Sequence, residues 1–576
     1  MKIKIFGVFF AAFMAFGSFA ANANEWKDIP REKAYANVAQ NKPVFGAVTY
    51  QENLADPDFP EKNRFAPEKL TDGNTNTATI IGMATGDYLQ VDLLRRYKLE
   101  KIELSDRYDA DHADMRGGLQ LLGSNDESFS EYEILGELGA APAADFPHQG
   151  CWEINLNGEN AFRYLRISRT GGYAYGGFGE LRAYASFNVF EVSRDKRATG
   201  NYWYETCNYD WAAPQTVLDG TEGNMSAWIN YNTDGYNWLQ VDLGGEYHIG
   251  YIEMTPRPED SGATNFYQAF DFYGSNHALE SEEEKNYVAK PGTTSGLSFL
   301  DEEHGYKTLS RVFTADRYIG GFDSEEFPLK PDKAFMQSVD EREAFRYITY
   351  KHTWPLGSLM GSLKLCAVAP EVCGTKRDGN YIYISFTDEM DFGSEFDSSL
   401  ISVKNSLGKE IPFSLEEESQ DTVKLYAELE NGETYNVVIS ENVKNSYGTP
   451  MQSSSEFSFK MPPAIEVKDF SYTSKKDGTG DIINSLSGAA ELGAKAVIKN
   501  NTVSKNETAV IFMLVFDENG YLVSTAKSAA EVCPGEEKSL FAGIDLPEDK
   551  NGISIKTFLW KDYKTMNSWT PLIKIN

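Results

Sequence analysis

The pentapeptide Leu-Gln-Val-Asp-Leu occurs twice, in DYLQVDL at 87–93 and in NWLQVDL at 237–243, and nothing else in the chain restricts its architecture as much. More than five letters repeat. Upstream, KLTDGNTNTATI (69–80) and VLDGTEGNMSAWI (217–229) each give a Leu, then Asp-Gly, then a polar loop. Downstream, LRRYKLEKIELSDR is answered by GGEYHIGYIEMTPR, and NAFRYLRISR (160–169) by EAFRYITYKH (343–352). Matching steps in one order mean a duplicated unit. The second copy is longer, and its extra chain falls between about Tyr273 and Glu341, a stretch rich in Glu, Gly and Ser that reads as long loops.

Within the pentapeptide, Leu89, Val91 and Leu93 alternate with Gln90 and Asp92, the period of a strand with one buried face. AFRYLRI repeats the alternation, with Phe162 and Tyr164 on one side and Arg163, Leu165 and Ile167 on the other. Short runs of this kind recur between Gly, Asn and Asp clusters, and no long segment holds apolar residues at helical spacing. The architecture is all-β and multi-domain.

The first 23 residues, with Lys2 and Lys4 before an apolar run and small residues at Ala20 to Ala23, have the form of a secretory signal peptide. No other apolar run reaches membrane-spanning length, so the mature chain is expected to carry no transmembrane span. A formal charge of −32 without a basic run argues against nucleic acid as partner. The cysteines, Cys151, Cys207, Cys366, Cys373 and Cys533, form neither a disulfide framework nor a zinc spacing, although an exported chain could pair Cys207 with Cys366.

The order Leu-x-Asp-Gly, Leu-Gln-Val-Asp-Leu, Ile-x-x-Ile with a loop Arg, Arg-Tyr-Leu-Arg-Ile and Gly-Glu-Leu-Arg-Ala-Tyr resembles the discoidin family, the coagulation factor 5/8 type C domain, which includes the family 32 carbohydrate-binding modules. The likeness is stronger over 45–185 than over 186–368. It implies two galactose-binding-like jelly-roll sandwiches, each with a ligand site in the loops at one end. The expected organisation is a signal peptide at 1–23, an N-terminal segment at 24–44, discoidin-like domains at 45–185 and 186–368, and two further domains at 369–462 and 463–576. The third is similar to bacterial Ig-like domains in FTDEMD, LENGETY and VKNSYG, with Met390 as core. The last, with TAVIFMLVF and a strand ending Phe-Leu-Trp, is similar to a terminal β-sandwich of secreted proteins of Gram-positive anaerobes.

The resemblance also implies a structural calcium ion in the first domain, held by the Lys69 carbonyl and by Asp72, Asn74, Thr77 and Glu180. An all-oxygen set suits that ion, while Asp72-Gly73 reads equally as a plain turn. The second copy has Ser362 where the first has Glu180, with Glu222 as a substitute carboxylate. Sugars are held by aromatic faces and planar polar groups. The loop SDRYDADHADMRGG supplies Arg107, Asp111, His112 and Arg116, and GGYAYGGF, facing it in the family topology, supplies Tyr173, Tyr175 and Phe178. The two arginines could instead pair with neighbouring aspartates. The second copy offers Arg257 and Trp354, the latter either a ligand platform or a core plug.

No metal-spaced histidine pair, nucleophile elbow or phosphate loop accompanies these residues, so the chain is expected not to be an enzyme. The expectation is a secreted or cell-surface protein that binds glycans or glycoconjugates, with cell-wall or surface partners. The alternative is an adhesion protein that uses the same loops on protein or lipid.

Overall fold

The computed structural model describes residues 26–46, 48–49, 65–73, 78–82, 85–107, 111–139, 145–171, 175–200, 213–221, 228–229, 238–256, 270–279, 305–311, 335–339, 342–352, 358–392, 398–562, 564, 566, 568 and 572–575. Among these residues the chain is strands and turns, with short 3-10 turns and one helical turn, Ala113–Arg116. The all-β expectation holds. No helix among them is long and apolar enough to cross a membrane.

Both copies of the pentapeptide are core strands. Leu89 and Val91 stand opposite Ile167 and Leu165 of Ala161–Arg169, and Leu239 and Val241 stand opposite Tyr350 and Ile348 of Ala344–His352. The repeated Asp has its own task. Arg163 donates to both Asp92 oxygens at 3.0 and 3.2 Å, and Arg346 does the same to Asp242 at 2.8 and 3.0 Å. Each Asp also accepts from the backbone N–H two residues on, at Leu94 and Gly244, whose φ values are +70° and +79°. The carboxylate thus clamps a left-handed turn and ties it to the neighbouring strand. A second shared device is an asparagine that caps the same strand: Asn125 bonds Arg163 N and Ala161 O, and Asn276 bonds Arg346 N and Ala344 O.

Two expected boundaries need correction. Residues 24–44 do not precede the first copy but contain its first strand, Arg31–Asn37, paired antiparallel with Tyr175–Glu191. The inward residues of that strand are Ala34 and Ala36, too small to give an apolar signal in the sequence. The boundary at 185/186 falls inside Tyr175–Glu191. Its early part closes the first copy against Tyr88–Asp106; its end, through Val189, Phe190 and Glu191, opens the second against Ser358–Val368. One strand serves both sandwiches, and a single sheet runs through the two. Cys366 lies in this seam as a buried free thiol, so the pairing considered with Cys207 is not formed; Cys207 itself lies outside the described residues.

The Ig-like sandwich sets Val372–Asp378, Tyr381–Phe386, Thr422–Ala427 and Phe413–Ser419 against Ile401–Asn405, Thr434–Ile439 and Ser455–Lys460, with Met390 in the core. It docks on the first copy and also touches the second, where Tyr447 stacks on His248 at 4.7 Å. Arg95 is buried against Asp388 at 3.4 Å and donates to Ala369 O, and Asp388 also accepts from Asn445 at 2.6 Å. Removing one partner of such a pair costs about 3–5 kcal/mol, which makes the junction stiff. The last sandwich packs Ile465–Thr473, Glu491–Asn500 and Glu537–Asp545 on a sheet of Leu522–Val532, Glu507–Phe516, Ser554–Trp560 and Ile573–Ile575.

Candidate functional site

The loops at one end of the first copy are built on two buried cations. Asp106 ends the long strand Tyr88–Asp106, and its side chain is only 1% exposed. Its Oδ2 accepts from Arg116 Nη1 and His148 Nδ1, each at 2.8 Å, and from Gln149 N at 3.1 Å. Arg116 then reaches Asp111 at 3.0 Å with its other nitrogen, and that carboxylate is 59% exposed. The chain leads from the core to the surface through one guanidinium.

The second cation is Arg169, at the end of Ala161–Arg169 and almost wholly buried. It donates to the carbonyl oxygens of Met115 and Tyr175 at 2.8 Å, Gly117 at 3.1 Å and Gly171 at 3.3 Å. Burial pushes its pKa down, and the four carbonyls stand in for the lost water. One residue thereby ties the backbone at Met115 and Gly117 to that at Gly171 and Tyr175. These segments approach closely enough that a side chain on Gly118, at φ +66°, would collide with the Gly171 carbonyl.

Over this base stands a polar rim. Asp111 and Asp114 are exposed, and His112, His148 and Tyr175 are partly so. Three of the expected ligand residues, Asp111, His112 and Tyr175, are thus at least partly exposed at this end, where the Met115 and Tyr175 carbonyls meet on one Arg169 nitrogen. Three others need correction. Phe178 is 0% exposed and packs in the core beneath the loops. Arg107 and Arg116 are each 5% exposed; the first lies under Phe65 and against Met115, the second holds Asp106. Arg116 pairs with aspartates as the alternative reading had it, but from a buried floor and not on a solvated loop. Tyr173, Arg257 and Trp354 lie outside the described residues. Asp106, His148 and Arg169 are functional candidates that the sequence did not single out. His148 comes from a distant turn whose return to the site is a tertiary event, whereas Arg169, closing an apolar alternation, was visible as a charge at a strand end.

The Asp-Gly loop of the first copy meets a buried carboxylate. Glu180 is fully buried; its Oε1 accepts from Gly73 N at 3.1 Å, and its Oε2 meets no donor. Burial, then the charge of Asp72, push its pKa well above the usual carboxylate range. The charge of Arg182 and the Gly73 N–H oppose these two causes without cancelling them. Lys69 lies in the turn Pro67–Leu70, while Asn74 and Thr77 are outside the described residues. No group of three or more His, Cys, Asp or Glu side chains gathers as a metal cluster among the described residues. A cation held here would take its remaining oxygens from backbone carbonyls and from neutral side chains, which suits calcium.

The second copy solves the same corner differently. Ser362 stands in the place of Glu180 and bonds Thr255 at 2.6 Å. Against Gly220, the counterpart of Gly73, lies the guanidinium of Arg194, so close that any side chain there would collide with it. Arg194 is held by Glu191 and by Glu32, the latter at 3.4 Å.

Two joined all-β sandwiches of this kind are consistent with the discoidin jelly-roll fold. Residues 201–295 match the F5/8 type C domain model and residues 364–461 the bacterial Ig-like domain model, so the chain carries both modules. The first match falls in the second copy, not in 45–185 where the likeness reads as stronger. No curated protein matches the chain in sequence. Among solved structures, a fucolectin from striped bass (Morone saxatilis) serum is 13% identical, covering 58% of this chain and 99% of its own, with a TM-score of 0.23. A Clostridium perfringens family 32 module solved with GlcNAc-alpha-1,4-galactose is 18% identical over 26% of this chain and 95% of its own, TM-score 0.20. The family 32 module of NanJ from the same organism, solved with galactose, is 13% identical over 26% and 99%, TM-score 0.21.

Proposed function

We propose that the chain is a non-catalytic, secreted or surface-held glycan-binding protein whose first copy carries the sugar site. The observation behind this reading is the rim of Asp111, His112, His148 and Tyr175 fixed over Asp106, Arg116 and Arg169. Paired polar groups beside an aromatic face suit vicinal hydroxyls and the C–H face of a sugar ring. A rigid floor lowers the ordering cost of binding a small, flexible ligand. Structural calcium at Asp72 and Glu180, with the Lys69 carbonyl and with Asn74 and Thr77, would take up the buried Glu180 carboxylate and pin the Asp-Gly loop, without touching sugar. Cell-wall or other surface glycoconjugates are the partners this reading favours, and the Ig-like module, docked on the first copy, would hold the site at a fixed attitude.

The test is a glycan array probed with the whole chain and with Asp111→Ala, Tyr175→Ala and His148→Ala variants of unchanged melting temperature. Binding that drops at least about tenfold in these variants supports the site. A blank array with folded protein removes the sugar reading and leaves adhesion to protein or lipid.

A further inference from the structure

The last sandwich carries an aromatic surface that the glycan site does not use. In Glu507–Phe516, the residues Ile511, Met513 and Val515 point into the core, and Phe512, Leu514 and Phe516 point outward and are half-exposed. In Ser554–Trp560, Ile555 and Leu559 go inward, while Lys556, Phe558 and Trp560 face out. A strand apolar on both sides normally has both faces covered, so an open apolar face marks an interaction surface. The register sets Phe512 between Phe558 and Lys527, and Leu514 between Lys556 and Thr525. The rings form one platform: Trp560 lies 5.0 Å from Phe512 and 5.1 Å from Phe558, tilted by only 32° and 35°. Phe516 continues the row, about 13 Å along the strand from Phe512, with Lys556 Nζ 4.7 Å over its ring. At the β-turn beyond it, Tyr521 is 71% exposed.

The rim carries the opposite sign to the rest of the chain. Lys527 flanks the platform on one side, and Lys556 with its cross-strand neighbour Lys574 on the other, in a chain of net charge −32. Glu531, opposite Thr508, stands at the far end of the face. We propose that this face binds an anionic polysaccharide, with sugar rings stacked on Phe512, Phe558 and Trp560 and their carboxylates met by Lys527, Lys556 and Lys574. A second copy fits poorly, because self-apposition sets these lysines against the same lysines. A flat, half-sunk aromatic row matches the faces of a sugar chain better than it matches a membrane, which favours protruding apolar spikes.

The experiment is native affinity electrophoresis of the whole chain in gels containing polygalacturonate, with neutral dextran gels and anionic phospholipid vesicles as parallel arms. The variants are Trp560→Ala, the double change Lys527→Glu with Lys556→Glu, and Asp111→Ala in the first copy, each checked by thermal unfolding. Retardation by polygalacturonate and not by dextran is expected. It should weaken about tenfold in Trp560→Ala and in the charge-reversed variant, and persist in Asp111→Ala. The proposal fails if polygalacturonate does not retard the chain, if dextran retards it equally, if only vesicles bind, or if Asp111→Ala alone removes the effect. The last result would assign the polymer to the first-copy loops, so failure of this surface and failure of the glycan site are read separately.

Discussion

The two sandwiches keep the same clamp and differ at one corner. Both fix their pentapeptide strand with an Arg–Asp pair and an Asn cap. At the Asp-Gly loop the first copy sets a buried Glu180 beside Asp72, whereas the second sets Ser362 there and brings Arg194 against Gly220. A guanidinium delivered by the chain is always present; a metal ion is present only when the medium supplies it. Duplication preserved the fold and changed this corner, which is where the proposed calcium would set the first copy apart.

The largest effect expected from this difference is on metal removal. At a thousandfold excess over its dissociation constant, calcium should stabilise the first copy by about 4 kcal/mol. Hydrogen exchange resolves the two copies locally. In chelator, amides of Ala161–Arg169 should lose protection while those of Ala344–His352 do not. Equal loss in both strands would end the contrast. Glu180→Gln should remove the response, because it removes the buried carboxylate that the ion would take up.

The next effect is on pH, and the copies should respond with opposite sign. Glu180 has a raised folded-state pKa, so without metal the native first copy holds a proton that the unfolded chain releases near pH 4.5. Its stability then falls as pH rises through that window, at up to about 1.4 kcal/mol per pH unit. In the second copy burial pushes the Lys351 pKa down to about 8, with Asp271 opposing. Between that value and the ordinary lysine range the unfolded chain binds the extra proton, so stability rises with pH. Exchange measured from pH 5 to 9.5, corrected for the intrinsic rate, reads both signs. A flat profile in Glu180→Gln and in Lys351→Met confirms the assignments.

The strand alternation made the sandwich class readable, because a period of two with a repeated order admits few other folds. The Asp-Gly loop and Glu180 could be named before their meeting was seen, the loop because it repeats and Glu180 because the family resemblance implies it. The opening strand Arg31–Asn37 was not legible: its buried residues are alanines, and its partner lies far along the chain. The arginines misled for a physical reason. A guanidinium looks the same in sequence whether it meets a ligand or a buried partner, and only packing puts Arg107 against Phe65 and Arg116 on Asp106. The same holds for Phe178, an aromatic among glycines whose ring turned inward.

The smallest effect tests the shared clamp. Arg163 and Asp92 have side chains 26% and 13% exposed, against 44% and 29% for Arg346 and Asp242. The geometry is equally bidentate; the pairs differ in shelter and in Glu389 of the Ig-like sandwich, 3.6 Å from Arg163. Truncating Arg163 leaves a largely sheltered Asp92, with only the Leu94 N–H as a described donor, and should cost about 1.5 kcal/mol. Truncating Arg346 leaves Asp242 to water and to Gly244 N–H, and the melt should shift within experimental error. Raising salt should narrow the gap little, because screening acts on the exposed pair, which already contributes least. If Arg346→Ala proves as costly as Arg163→Ala, the clamp works by orienting the turn rather than by charge, and the two copies are alike here despite their different exposure.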